Sequence, residues 1–480
     1  MQVRTIKLLV QVFSFAAVWL WASTAQVMAA NADFNAYYID EPVFGGQAYI
    51  LEAGQRSKPA VVLVHGLNDS TELWRPFIPA LARDFHVITF DLPGFGRSDK
   101  GNKLYSPENY VAFIRHVLNR FEHKQIRLVG HSLGGNIALH YASTYPQQVE
   151  RLALVSVAGV VHRLAYTQFL AHFGIRNVPE FYREQNGDLK SLADRVLGTL
   201  TDNASLIEFG EKYMLSQPLL RENLLGGQPP AIAAHAMMLS DVSDKLFKES
   251  IPTLLIWGGD DLVTTVRTGK LLAANFANAG LAVLDGVGHV PMRERPERVG
   301  QLLAEYLTAS PQVRDAMLAQ YRYTRPVRQI EDAERIGRCE NETGKVFRGT
   351  YKLIVIENCR NVRLERVHAD SVSIVRSDAS IEASVIESTG KALLLENSDV
   401  VSTATVIKGQ PALILLNSKL DMAGGLLHSE TQAIMNSAKA STNPAVSTTS
   451  RILFSLSRLD SKYVQRYLHG PMTLQAGQGM

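Results

Sequence analysis

Gly130-His131-Ser132-Leu133-Gly134-Gly135 has the small-x-Ser-x-small form that lets a chain leave a strand, turn sharply and enter a helix with serine at the apex. Side chains in place of the flanking glycines would clash with so tight a backbone. The surroundings fit. Gln125-Ile-Arg-Leu-Val129 reads as a buried strand, and Asn136-Ile-Ala-Leu-His-Tyr-Ala142 as the helix that follows. Alone, the stretch is also compatible with a glycine-rich turn that carries no chemistry, so its downstream partners decide.

A serine hydroxyl is a weak nucleophile at neutral pH; it needs a base, and the base needs an orienting carboxylate. Pro252-Thr-Leu-Leu-Ile-Trp-Gly258 is an apolar strand running into Gly259-Asp260-Asp261. Leu281-Ala-Val-Leu284 reads as the next strand and leads into Asp285-Gly-Val-Gly-His289. An acid just past one strand and a histidine just past the next fall at one edge of a parallel sheet, where the serine also emerges.

With these residues in view, positions 34 to 310 resemble the α/β-hydrolase superfamily, in its serine-nucleophile branch of esterases, cofactor-free haloperoxidases and carbon–carbon bond hydrolases. Ala60-Val-Val-Leu-Val-His65-Gly66-Leu67 resembles the strand and His-Gly turn that supply half of the oxyanion hole. Phe90-Asp-Leu-Pro-Gly-Phe-Gly-Arg-Ser-Asp99 resembles the D-x-P-G-x-G-x-S turn, and Gly288-His289-Val-Pro-Met-Arg-Glu294-Arg-Pro296-Glu297 the segment that carries the histidine.

The resemblance implies an α/β fold with Ser132 as nucleophile, His289 as general base and then acid, and Asp261 holding the imidazole tautomer. Asp260 is the rival for the last role; the family's W-G-x-x-D pattern selects Asp261 and leaves Asp260 as a solvated loop carboxylate. The backbone N–H groups of Leu67 and Leu133 are the implied oxyanion donors. His65 reads as a structural histidine and His131 as a packing neighbour of the serine. Serine rather than aspartate at the apex disfavours the dehalogenase and epoxide-hydrolase branches. No cofactor is expected, and His162, His172 and His235 lack metal-ligand grouping with carboxylates, so no metal is assigned.

Met1 to Lys7 is a basic start, Leu8 to Ala25 is mostly apolar, and Val27-Met28-Ala29 ends in a small-x-small cleavage pattern, with Ala30 as an alternative last residue removed. Residues 1–29 therefore read as a secretory signal peptide, with an uncleaved anchor as the alternative. After its removal no membrane span is expected, and the protein is expected to be exported, periplasmic or secreted. The net charge of +3 falls to +1 once Arg4 and Lys7 leave with an acid-free leader, and no basic cluster interleaved with aromatics points to nucleic acid. Cys339 and Cys359 are the two cysteines of the chain and a candidate disulfide for an oxidising compartment; two free buried thiols are the alternative.

The domains expected are an α/β-hydrolase body over 34–310, a helical linker or cap over 311–339, an all-β domain over 340–460 and a tail over 461–480, loose from Pro471 to Met480. Within the body, residues 159–249 interrupt the strand series and read as a helical lid, with Phe169-Leu170, Phe173, Met214-Leu215 and Ala236-Met-Met-Leu239 as its core or an acyl pocket. Pro296 to Leu307 has the apolar spacing of a closing helix. Beyond Thr350, short strands recur: Leu353–Ile356, Val372–Val375, Ala392–Leu395, Ala412–Leu416 and Ala433–Met435. Each ends in a small polar pair, beginning at Asn358, Ser377, Asn397, Asn417 and Asn436, spaced 19, 20, 20 and 19 residues apart. One strand and one polar turn per rung is the pattern of a solenoid. It resembles the right-handed parallel β-helix of pectate-lyase-like proteins, with asparagine forming an amide ladder. Cys339 stands one repeat before Cys359, so the two sulfurs would meet on neighbouring coils. Asp378, Asp399 and Asp421 read as solvated turn carboxylates rather than a second site.

The function expected is hydrolysis of a small-molecule carboxylic ester through an acyl-enzyme. Carbon–carbon bond hydrolysis or cofactor-free perhydrolysis would use the same three residues. A non-catalytic exported protein that binds polysaccharide or a cell surface through its β-helix is the alternative of another class.

Overall fold

The computed structural model describes residues 34–164, 203–241, 251–327, 334–437 and 449–480. The leader over 1–29 lies outside these residues, as do Phe169, Leu170, His172 and Phe173 of the expected lid.

Eight strands of the described residues form one sheet: β1 (Asn35–Glu41), β2 (Gly46–Ala53), β3 (Ala60–Val64), β4 (His86–Phe90), β5 (Ile126–His131), β6 (Val149–Val155), β7 (Thr253–Gly258) and β8 (Ala279–Leu284). Their order is β1-β2-β4-β3-β5-β6-β7-β8. β1 and β2 pair antiparallel with each other, β2 pairs antiparallel with β4, and the remaining neighbours are parallel. All five residues of β3 are buried, as expected for a strand covered on both faces. The two-residue alternation is plain: Val62, Val64 and Leu128 join one apolar layer, Val61, Leu63 and Val129 the other.

Helices supply those layers. α1 (Pro107–Leu118) starts at Ser106, whose hydroxyl accepts from the Asn109 N–H at 3.3 Å, and buries Tyr110, Phe113, Ile114 and Val117. α2 (Leu133–Thr144) is buried through its first ten residues. The described part of the lid region is helical: α3 (Ala204–Ser216), α4 (Pro218–Leu225) and α5 (Pro229–Met238). α6 (Val266–Asn275) and α7 (Pro296–Thr308) complete the body, and α7 is the expected closing helix.

The segment from 311 opens as a helix held on the sheet. α8 (Pro311–Gln320) packs on β8, and the carbonyl of Tyr321 accepts the N–H of Leu281 at 2.8 Å. Apolar positions such as Leu318, fully buried, draw it onto the sheet.

The C-terminal domain is all-β, with fourteen strands among the described residues, mostly parallel and joined in one hydrogen-bonded set. Val372–Val375, Leu393–Leu395, Leu413–Leu415 and Ile434–Asn436 lie side by side in parallel register. Two further columns run beside this one. Asp378–Glu382, Asp399–Thr403 and Lys419–Ala423 form the second; Val385–Glu387, Val406–Lys408 and Leu426–Ser429 form the third. One strand per repeat was expected, and three are found. The extra strands are three to five residues long, too short for a periodic signal to separate from loop.

The polar turns also differ from expectation. Asn358, Asn397 and Asn417 are exposed with φ of 53°, 47° and 47°, a left-handed conformation that asparagine tolerates better than most residues. A side-chain contact does link Asn417 to Asn397 at 2.8 Å, but the buried ladder is made by serine. The hydroxyls of Ser377, Ser398 and Ser418 accept the N–H groups of Cys359, Ser377 and Ser398, at 2.9, 3.1 and 3.1 Å. Cys339 and Cys359 are joined as a disulfide.

Two expectations are corrected. The tail is not loose: Gln465–Leu474 is a strand antiparallel to Ser450–Ser461, and Met480 exchanges backbone hydrogen bonds with Ile434. It covers strand groups that would otherwise face solvent unpaired. Asp421 is not a solvated carboxylate either, being ion-paired with Arg267 of α6 at 2.7 Å.

Candidate active site

Ser132 stands between β5 and α2 with φ 52° and ψ −115°, a conformation a β-substituted residue adopts only when its surroundings enforce it. The enforcement is visible. The Ser132 N–H donates to Val155 at 3.0 Å, and its carbonyl accepts from Asn136 and Ala158. A Cβ on Gly134 would lie 2.4 Å from the carbonyls of both Val64 and His65, and one on Gly130 2.3 Å from the carbonyl of Gly134. Close approach of backbone to backbone, rather than left-handed φ, is why glycine is needed there.

β7 delivers the acid and β8 the histidine. His289 Nε2 is 3.0 Å from Ser132 Oγ, and Nδ1 is 2.9 Å from Asp261 Oδ2. The three expected side chains therefore meet in one line. Asp260 is exposed and stands apart from it. Burial by itself would raise the Asp261 carboxyl. Hydrogen bonding and charge from His289, with both donors of Thr264, overcome this and hold it below the usual carboxylate range. The ring thus faces an ionised partner at neutral pH.

The N–H of Leu133 opens α2, where no carbonyl four residues earlier lies within the helix. A Cβ on Gly66 would fall 3.1 Å from Ser132 Cβ, so the turn that presents Leu67 lies directly on the serine.

His65 is a fixed neutral ring: Nδ1 donates to the Gly66 carbonyl at 2.7 Å and Nε2 accepts from Leu92 at 2.9 Å. Burial lowers its pKa. His131 does more than pack. Its Nε2 donates to the backbone carbonyl of His289 at 3.0 Å, while burial and the neighbouring His289 hold its pKa down at about 3.

Three contributions escaped the sequence reading. Thr264 donates to Asp261 from its N–H at 2.8 Å and its hydroxyl at 2.9 Å, and the hydroxyl is 3.3 Å from His289 Nδ1. One guanidinium nitrogen of Arg293 donates to both carboxylate oxygens of Asp69, at 3.0 and 2.9 Å, joining the histidine loop to the Leu67 turn. Glu294 accepts the Gly288 N–H at 2.8 Å and clamps the same loop. Glu294 belongs to the quoted histidine motif and so had a signal; Thr264 and the Arg293–Asp69 pair had none.

Beside the acid loop lies a mostly apolar cavity of about 140 Å³, whose lining includes Val157, Val160, Met237, Met238 and Val263, with Thr264 between it and Asp261.

Residues 59–296 match the family model described as the alpha/beta hydrolase fold. An uncharacterized protein of Mycobacterium tuberculosis is 30% identical over 264 residues, 52% of this chain and 76% of its own. The chain belongs to the α/β-hydrolase family. This α/β-hydrolase is also similar to a monoacylglycerol lipase of Bos taurus, 25% identical over 302 residues, covering 61% of this chain and 85% of that one. Among solved structures, a hydrolase from Pseudomonas aeruginosa is 23% identical with a TM-score of 0.42, covering 58% of this chain and 100% of that one. The protein is accordingly an enzyme of hydrolase type, and its family match ends at residue 296, ahead of the C-terminal domain.

Proposed function

We propose that this α/β-hydrolase cleaves a small-molecule carboxylic ester through an acyl-enzyme on Ser132. The continuous line from Asp261 through His289 to Ser132, at 2.9 and 3.0 Å, carries the reading. Oγ attacks the ester carbonyl carbon while His289 Nε2 takes the hydroxyl proton; the negative charge develops on the carbonyl oxygen, toward the N–H groups of Leu67 and Leu133. Collapse breaks the bond to the leaving alkoxide, which receives that proton from Nε2. Water then repeats the sequence on the acyl-enzyme, releasing the acid and restoring Ser132. Ionised Asp261 stabilises the imidazolium in both halves.

The apolar cavity supports a substrate with a small or medium acyl group, and the similarity to monoacylglycerol lipases supports the same class. A fluorophosphonate probe tests the proposal. Labelling of the wild type and none of Ser132→Ala is expected; folded wild type that resists labelling would overturn it.

For the remainder of the chain we propose a short parallel β-helix after the hydrolase body, supported by three columns of parallel strands that step about one repeat at a time. Export with loss of residues 1–29 is supported by the leader sequence and by the Cys339–Cys359 disulfide. N-terminal sequencing of the mature protein tests cleavage, with a new terminus at Ala30 expected. A polysaccharide or cell-surface partner for the β-helix is tested by retention of the full chain on polysaccharide columns.

A further inference from the structure

α6 carries a face that meets the C-terminal domain. Arg267, Lys270, Leu271 and Asn275 follow the three- and four-residue spacing of a single helix face. Lys270 Nζ meets Glu382 at 2.6 Å and Asn275 Nδ2 donates to the Gly424 carbonyl at 3.1 Å. A Cβ on Gly424 would come within 3.0 Å of Leu271 Cγ, so backbone lies against helix there.

Arg267 is the most heavily held of the four. Its guanidinium donates to Asp421 Oδ2 at 2.7 Å and Oδ1 at 2.9 Å, to Thr403 Oγ1 at 2.9 Å and to the Ser402 carbonyl at 3.1 Å. The pair is largely enclosed, with side-chain exposure of 20% for Arg267 and 12% for Asp421. A planar fork on a carboxylate fixes orientation as well as distance.

The other end of the same residue borders the cavity. Val263, Thr264, Thr265, Arg267 and Thr268 line it in succession. Two halves of this stretch are fixed differently. Thr264 is tied to the hydrolase body: its carbonyl accepts from Trp257 Nε1 at 2.6 Å and its hydroxyl reaches the Ser156 carbonyl at 3.1 Å. The first turn of α6 packs against Trp257 through Gly269, where a Cβ would lie 2.8 Å from the ring, but among the described residues its side chains make no polar tie to the body, and Thr265 at the N-cap makes no capping bond. The Arg267 clamp supplies a polar tie from another domain.

We propose that Arg267 is a positioning residue through which the C-terminal domain sets the cavity wall, and thereby the enzyme's discrimination among acyl chains. The inference rests on the ester-hydrolase reading above. It separates two effects: the line through Ser132 is held within the hydrolase body and does not need the clamp, whereas the wall that an acyl chain touches does.

The deciding variant is Asp421→Asn in the full chain, since Asp421 does not line the cavity and the change is nearly isosteric. For p-nitrophenyl octanoate, KM is expected to rise about fivefold with kcat little changed; for p-nitrophenyl acetate, kcat/KM is expected to stay within about twofold. The double variant Asp421→Asn with Arg267→Met should shift the octanoate KM no more than Arg267→Met alone. Lys270→Met loosens the same helix face without touching the cavity and should leave the octanoate-to-acetate ratio unchanged. If Asp421→Asn does not fold, Thr403→Val, which removes the acceptor of Arg267 Nε, carries the same expectation. Parallel changes for both esters, no change for either, or an equal split in Lys270→Met would overturn the proposal. Fluorophosphonate labelling keeps the two readings apart. Labelled wild type with unaltered acyl preference in the variants refutes the positioning role alone, whereas unlabelled wild type removes the ester-hydrolase reading and this inference with it.

Discussion

Thr264 gives both its backbone N–H and its hydroxyl to the carboxylate of Asp261, at 2.8 and 2.9 Å. The acid is therefore held by its own loop before the histidine reaches it. A third donor, the Val263 N–H, meets the same oxygen as the Thr264 N–H, at 2.9 Å.

Thr264→Val keeps the shape and removes the hydroxyl. Loss of one hydrogen bond to a charged group is expected to lower kcat/KM for an ester roughly tenfold. Thr264→Ser should retain most activity. Steady-state kinetics on the two variants check this.

Asp261→Asn should lower kcat by roughly 10⁴-fold, because an amide can stabilise the wrong imidazole tautomer and carries no charge to offset the imidazolium. Asp260→Asn should leave kcat nearly unchanged, since that carboxylate is exposed beside the line rather than part of it. Equal losses in the two variants would misassign the acid.

His162 is buried at the edge of the lid region, its ring 5.1 Å from that of His469. Burial, with like charge from His469 and Arg163, lowers its pKa to about 3. The unfolded chain takes up this proton below about pH 6.5, while the folded chain refuses it until about pH 3. Its contribution is thus fully present above pH 6.5 and is lost progressively as pH falls from there. Melting temperature followed from pH 7.5 to 4.5 should decline less steeply in His162→Gln than in the wild type.

Gly134→Ala would drive a methyl group to 2.4 Å from two main-chain carbonyls, neither of which can rotate away as a side chain would. A loss of about 1–3 kcal/mol in denaturant unfolding is expected, together with reduced ester turnover as the Leu67 turn shifts off the serine.

The hydrolase body was legible because its signals are local. Ser132, Asp261 and His289 each follow an apolar strand, and a parallel sheet brings the ends of such strands to one edge whatever the intervening length. The twenty-residue spacing beyond Thr350 was legible for a similar reason, since stacking repeats a local pattern. Asparagine at the turns misled because its preference for left-handed φ looks, in sequence, the same as a role in a buried ladder. Serine holds that ladder instead, being small enough to point inward.

The chain on its own specified which residues are nucleophile, base and acid candidates, because backbone geometry and strand order constrain them one neighbourhood at a time. Only the tertiary structure decided what supports them. Arg293 meets Asp69 across 224 positions, and His131 meets the His289 carbonyl across 158. Contacts of that span depend on how two finished surfaces fit, a property that no window of sequence contains.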